Sequence, residues 1–126
     1  MKKIIYSEEA PKPMGVYSQG TTGGGLIFVS GQLPVDPKKN QFIEQDIKKQ
    51  TRQVFQNIEK ILAKEGAGLK DILRLGVFLV NIEDFKAMNE VFQEFFPVEP
   101  PARTTSTVKA FPPGVLIEID AIALNK

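Results

Sequence analysis

The sequence predicts an α+β fold with elements in the order β-β-β-α-β-α-β-β. Three observations lead there. Two segments repeat apolar residues at the spacing of an amphipathic helix. Several short segments rich in β-branched and aromatic residues lie between Gly and Pro clusters, as strands do. The chain has 126 residues, the length of one domain at ~100–150 residues. With no repeat, low-complexity tract or linker, residues 1–126 read as a single domain.

Taken in order, Lys3–Ser7 reads as a first strand. Pro11 and Pro13 make the next stretch a loop, because proline fixes φ and removes a donor. Val16–Thr22 and Leu26–Val29 read as a hairpin closed by Gly23, Gly24 and Gly25. Residues 31–45, with Pro34, Pro37 and Asn40, read as a long loop. Asp46 is the expected N-cap of a first helix. Its apolar face is Ile47, Thr51, Val54, Phe55, Ile58, Ile61 and Leu62, and Gly66 ends it. Ile72–Val80 is a nearly continuous apolar strand, broken only by Arg74 and Gly76. A second helix is expected from Asn81, with Glu83 and Asp84 suiting its positive end. Its face is Phe85, Met88, Asn89, Phe92 and Phe96, and Pro97, Pro100 and Pro101 stop it. Ala102–Val108 and Val115–Leu124 read as a closing hairpin joined by Lys109–Gly114.

Composition narrows the chemistry. The chain contains neither Cys nor His. That excludes Cys/His zinc sites, thiol nucleophiles and triads with an imidazole base. The acidic residues are not clustered in any spacing that suits Mg²⁺, so no metal is expected. Reactivity falls to Asp, Glu, Tyr, Ser, Thr, Lys, Arg, backbone groups and water. Sixteen basic residues face fifteen acidic ones, for a formal net charge of +1. That is not the footprint of an electrostatic nucleic-acid binder. No apolar run reaches the ~20 residues of a membrane helix. The N-terminus turns acidic before any signal-like apolar stretch develops, so a cytoplasmic protein is expected.

Two strands predict self-association. Ile72–Val80 and Leu26–Val29 are apolar on both faces, yet two helices can cover only one face of a sheet. A second copy of the chain is the expected cover.

Several polar residues stand out. A symmetric final hairpin pairs Thr107 with Leu116, Thr105 with Glu118 and Arg103 with Asp120. Alternation then places these six on one sheet face, with Thr104, Ser106, Ile117, Ile119 and Ala121 beneath the helices. The juxtaposed guanidinium and carboxylates read equally as a reactive site or as an ion pair that fixes register. Asn89 interrupts an apolar helix face, where a buried amide needs partners; capping a strand end is the simpler role. Tyr17-Ser18-Gln19 and Ser30-Gly31-Gln32 place polar groups at strand ends. The Gly20–Gly25 stretch is a turn, since neither a helix nor a Lys-Ser/Thr pair follows it.

Together, Tyr17-Ser18-Gln19, Phe28-Val29-Ser30-Gly31-Gln32-Leu33-Pro34, Pro100-Pro101-Ala102-Arg103-Thr104-Thr105 and Ile117-Glu118-Ile119-Asp120-Ala121-Ile122-Ala123 resemble the RidA/YjgF family signature. The resemblance spans essentially the whole chain. It implies a chorismate-mutase-like fold and a homotrimer with clefts between subunits. It also implies cofactor-free hydrolysis of enamine/imine carboxylates, 2-aminoacrylate and 2-aminocrotonate, released by pyridoxal-phosphate dehydratases. The products are 2-oxo acids and ammonia. Carried across, Arg103 would hold the substrate carboxylate and Asp120 would handle water, standing where relatives most often carry Glu. Tyr17, Ser30 and Gly31 would line the cleft, Asn89 would brace it, and Thr105 would touch the ligand through its backbone. Glu118 is assigned to structure. This reading stakes the enzyme on Arg103 and Asp120 sharing one face. Two other functions compete with it: a non-catalytic sensor of small carboxylates, and an RNA-directed ribonuclease or translation inhibitor.

Overall fold

A computed structural model describes residues 1–126. Six strands form one sheet in the order β1-β2-β3-β8-β6-β7. They are β1 (Lys3–Ile5), β2 (Gly20–Gly23), β3 (Leu26–Gln32), β6 (Ile72–Leu79), β7 (Ala102–Thr107) and β8 (Ile117–Leu124). A two-stranded hairpin, β4 (Val35–Asp36) and β5 (Gln41–Phe42), lies within the stretch expected to be loop. There Asp36 Oδ1 accepts from the Lys38 amide at 2.9 Å and Asn40 adopts φ 56°, which turns the chain back.

Helix α1 (Ile47–Ala63) starts where the sequence places it. Asp46 Oδ1 accepts from the Lys49 amide at 2.9 Å. It ends as Gly66 takes φ 73° and the Ala67 amide reaches back to the Leu62 carbonyl. Helix α2 (Phe85–Phe95) begins later than expected, after a short 3-10 turn over Ile82–Asp84. The second strand is also shorter than expected. Residues 16–19 leave the sheet because the Gln19 side chain is drawn inward. Its Oε1 accepts from the Ser7 amide at 2.6 Å and its Nε2 donates to the Ser7 and Pro11 carbonyls.

Both helices cover the same face. Val54, Phe55, Ile58, Ile61, Leu62, Met88 and Phe92 pack on Ile27, Val29, Leu75, Val77, Leu79, Ile117, Ile119, Ala121 and Ala123. Every one of those sheet residues has the same parity on its strand, so the other face has no cover. Ile4, Phe28 and Leu124 are exposed there, and Phe78 and Ile122 are half-buried. The registers Ile4↔Thr21↔Phe28↔Ile122 place most of these side by side.

The last two strands do not form the expected hairpin. β7 lies parallel to β6, β8 lies antiparallel to β6, and β6 separates them. The reason is burial. Apolar β6 takes the interior, whereas Arg103, Thr104, Thr105, Ser106 and Thr107 suit an exposed edge. The connection from β7 to β8 is pinned by Gln50, which is fully buried on α1. It donates to the Gly114 carbonyl at 2.7 Å and accepts from the Leu116 amide at 2.8 Å.

Candidate functional site

The expected site residues fall into two groups. The first surrounds Arg103 at the start of β7. Arg103 registers with buried Leu75, so its side chain lies on the helix-covered face. There the guanidinium carbon sits 4.9 Å from the Phe92 ring centroid and 5.5 Å from that of Phe85. Nη1 donates to Asn89 Oδ1 at 2.7 Å. Asn89 therefore braces the arginine rather than capping a strand. Partial desolvation lowers the exposed guanidinium's pKa from its usual value, but an arginine stays charged. Its Nε and Nη2 donors make no bond within the chain. Two residues on, the Thr105 hydroxyl oxygen is buried without a partner. The group opens into a groove of about 640 Å³, lined by Leu75, Asn89, Phe92, Phe96, Pro100 and Arg103 among others.

The second group lies around the bulge in β3, where register with β8 shifts between Val29 and Gln32. Ser30 and Gly31 sit in this bulge, which re-aims the strand end. Glu118 packs against it so closely that a Cβ on Gly31 would lie 2.7 Å from Glu118 Oε2. Only glycine leaves that space. Glu118 is half-buried, and its carboxyl is raised above the ordinary range by burial first and by neighbouring Asp120 second. Ser30 Oγ donates to the Ser18 carbonyl at 2.6 Å. Tyr17 and Gly31 line one small cleft of about 30 Å³, and the Tyr17 hydroxyl oxygen accepts from the Met14 amide at 3.0 Å. The buried Gln19 side chain holds this loop in place.

Two expectations are corrected. Arg103 and Asp120 do not share a face: Asp120 registers with Gly76, which registers with Thr104, on the uncovered side. Thr105 and Thr107 likewise lie on the helix side, while Thr104 and Ser106 lie on the open side. Two strand spacings of ~4.8 Å also separate β7 from β8. A site built from Arg103 and Asp120 of one chain therefore fails. Further, the Asp120 carboxylate is held by the Gly76 amide at 3.0 Å, in space that a side chain at Gly76 would occupy. Glu118, expected to be structural, is the carboxyl that burial raises, packed against the bulge at Gly31. The sequence signal for it was Gly31, since a glycine inside a strand marks a close approach.

The same fold occurs in proteins of solved structure. A solved structure, TdcF of E. coli with bound serine, superposes with a TM-score of 0.92 and 35% identity, over 98% of this chain and 99% of that one. A RutC family protein of Pyrococcus horikoshii is 47% identical over the full length of both chains. A Dermatophagoides farinae protein named 2-iminobutanoate/2-iminopropanoate deaminase is 33% identical, over 98% of this chain and 96% of its own. The family described as Endoribonuclease L-PSP matches residues 7–125. The chain belongs to that family, which is the RidA/YjgF family. No helix is long and apolar enough to cross a membrane.

Proposed function

We propose that this protein hydrolyses 2-imino carboxylates, 2-iminopropanoate and 2-iminobutanoate, to 2-oxo acids and ammonia. Its sites are shared between copies of a homotrimer, and no cofactor takes part. Arg103 carries the reading: a guanidinium backed by rings, braced by Asn89 and left with unused donors is a receptor for a planar carboxylate. The Dermatophagoides relative's name supports the substrate class, and the serine in TdcF supports an amino-acid-like ligand. Pyridoxal-phosphate dehydratases are the expected source of such imines.

Arg103 and Glu118 lie on opposite faces of one subunit, so a complete site needs two. The uncovered sheet face, with Ile4, Phe28 and Leu124 exposed, is the surface through which copies join. One copy then supplies Arg103, Asn89 and Thr105. The next supplies Glu118, Tyr17, Ser30 and Gly31.

The enamine takes a proton at its β-carbon and gives one up from nitrogen to become the imine, in solution or in the cleft. Arg103 fixes the carboxylate, which orients the C=N carbon. Water adds there: a C–O bond forms, Glu118 accepts a water proton, and the nitrogen gains one. The amino alcohol then releases ammonia as its hydroxyl loses a proton and the C=O bond closes. Such imines hydrolyse unaided, so general acid–base help of ~10²–10⁴-fold suffices.

Two variants test this in an assay coupled to a dehydratase. Arg103→Ala and Glu118→Gln each lose imine clearance; unchanged clearance in Arg103→Ala ends the proposal. Mixed and allowed to exchange subunits, the two inactive variants regain activity. In a ring of random composition roughly a quarter of the sites then hold both native residues.

A further inference from the structure

We infer that the groove beside Arg103 selects 2-imino acids with large apolar side chains, branched or aromatic, over the three- and four-carbon compounds. The inference rests on the deaminase reading and concerns the same site. One end of the groove is polar, with Arg103 and Asn89. The body is apolar, with Leu75, Phe92, Phe96 and the prolines Pro97, Pro100 and Pro101. An anionic head and an apolar wall call for a ligand of the same polarity. The volume, about 640 Å³, is of the size that holds drug-like ligands, ~300–1,000 Å³.

The wall is also preset. Glu99 adopts φ 49°, a left-handed conformation, between Pro97 and Pro100-Pro101. Proline fixes φ on both sides of it, so the loop has little freedom to collapse onto a small ligand. On the other side, Phe92 and Phe96 are held by edge-on contacts to Phe55, at 4.9 and 5.4 Å between ring centroids. A rigid apolar wall gains from each added methylene, commonly ~10-fold or more in selectivity. A leucine-derived side chain adds three carbons over an alanine-derived one.

The test compares kcat/KM for imines generated in situ by an amino-acid oxidase from alanine, leucine and phenylalanine. The leucine- and phenylalanine-derived imines are expected to be cleared at least about tenfold more efficiently than the alanine-derived one. A second arm uses Gln93→Trp, an exposed residue at the groove's rim on α2, to fill the groove without touching the core. It is expected to lower the leucine-to-alanine ratio by about tenfold. Clearance that falls with side-chain size, or a ratio unmoved by Gln93→Trp, overturns the inference and leaves the deaminase reading standing. No acceleration of any imine overturns both.

Discussion

Replacing Gly31 by alanine adds one carbon to the chain and separates catalysis from folding. The new Cβ would lie 2.7 Å from Glu118 Oε2, 2.8 Å from Cδ and 3.1 Å from Cγ. Carbon atoms rest at ~3.5–4.0 Å, so the carboxyl must retreat by about 1 Å. Gly31 does not have a positive φ, so alanine brings no backbone strain. The side chain that gives way is half-exposed and flexible, and an off-rotamer Glu118 costs about 0.5–1.5 kcal/mol. The melting temperature should therefore fall by only a few degrees, at ~2–8 °C per kcal/mol for domains from 60 to 250 residues. Activity should fall far more, since misplacing a reacting group by 1 Å costs ~10²-fold. The assay is imine clearance beside a thermal melt on the same preparation. A Gly31→Ala protein that folds and clears imine at the native rate would refute the placement of Glu118 at the reacting centre.

Other substitutions probe the remaining parts. Asn89→Ala removes the acceptor for Arg103, a bond to a charged group worth ~1.5–3 kcal/mol. Exposure of the arginine points to the lower end, so KM should rise about tenfold with kcat nearly unchanged; a normal KM would show that Asn89 does not orient Arg103. Gln50→Ala leaves the Leu116 amide and the Gly114 carbonyl without their buried partner. At ~1–3 kcal/mol for each such group, denaturant titration should show a loss of about 2–6 kcal/mol, and a loss below 1 kcal/mol would contradict the pinning role. Glu118 supplies a pH prediction. Its pKa is raised in the fold, so the proton is held more tightly there than in the unfolded chain. Its contribution is therefore complete below the ordinary glutamate range near ~4.3 and is lost as pH rises through the raised value. Glu118→Gln should melt higher than the native protein at neutral pH and alike at acid pH. A constant difference across pH would contradict this.

Much of the fold was legible because its local signals agreed. Asp46 and the apolar residues from Ile47 to Leu62 specify α1 by cap and period together. The nearly continuous apolar run of β6 foretold an uncovered sheet face. The pairing of the last strands was not legible, because periodicity says which face a residue occupies and not which strand lies beside it. Two short strands joined by a loop read as a hairpin unless a third has a stronger claim to the interior, and β6 has it. That one error carried the site with it. It placed Arg103 and Asp120 on one face, whereas the registers put them on opposite faces, two strands apart. Arg103, Asn89, Tyr17, Ser30 and Gly31 remain the residues of interest, grouped differently. Glu118, assigned to structure from the sequence, drew attention only when its side chain was found packed against the bulge at Gly31.

The outer margin of β7 has a consequence of its own. Its backbone has a partner on one side only, β6, so its other side presents unpaired amides and carbonyls to the surroundings. Such margins invite other chains to add on as fibrils. Here Pro100 and Pro101 stop the margin just before it starts, and its side chains are one arginine, four hydroxyls and an alanine. The chain can thus keep an open hydrogen-bonding rim at Arg103 for a ligand or a neighbour while resisting stacking into amyloid. Exchanging Thr104 and Ser106 for valine would weaken that protection before it altered the fold.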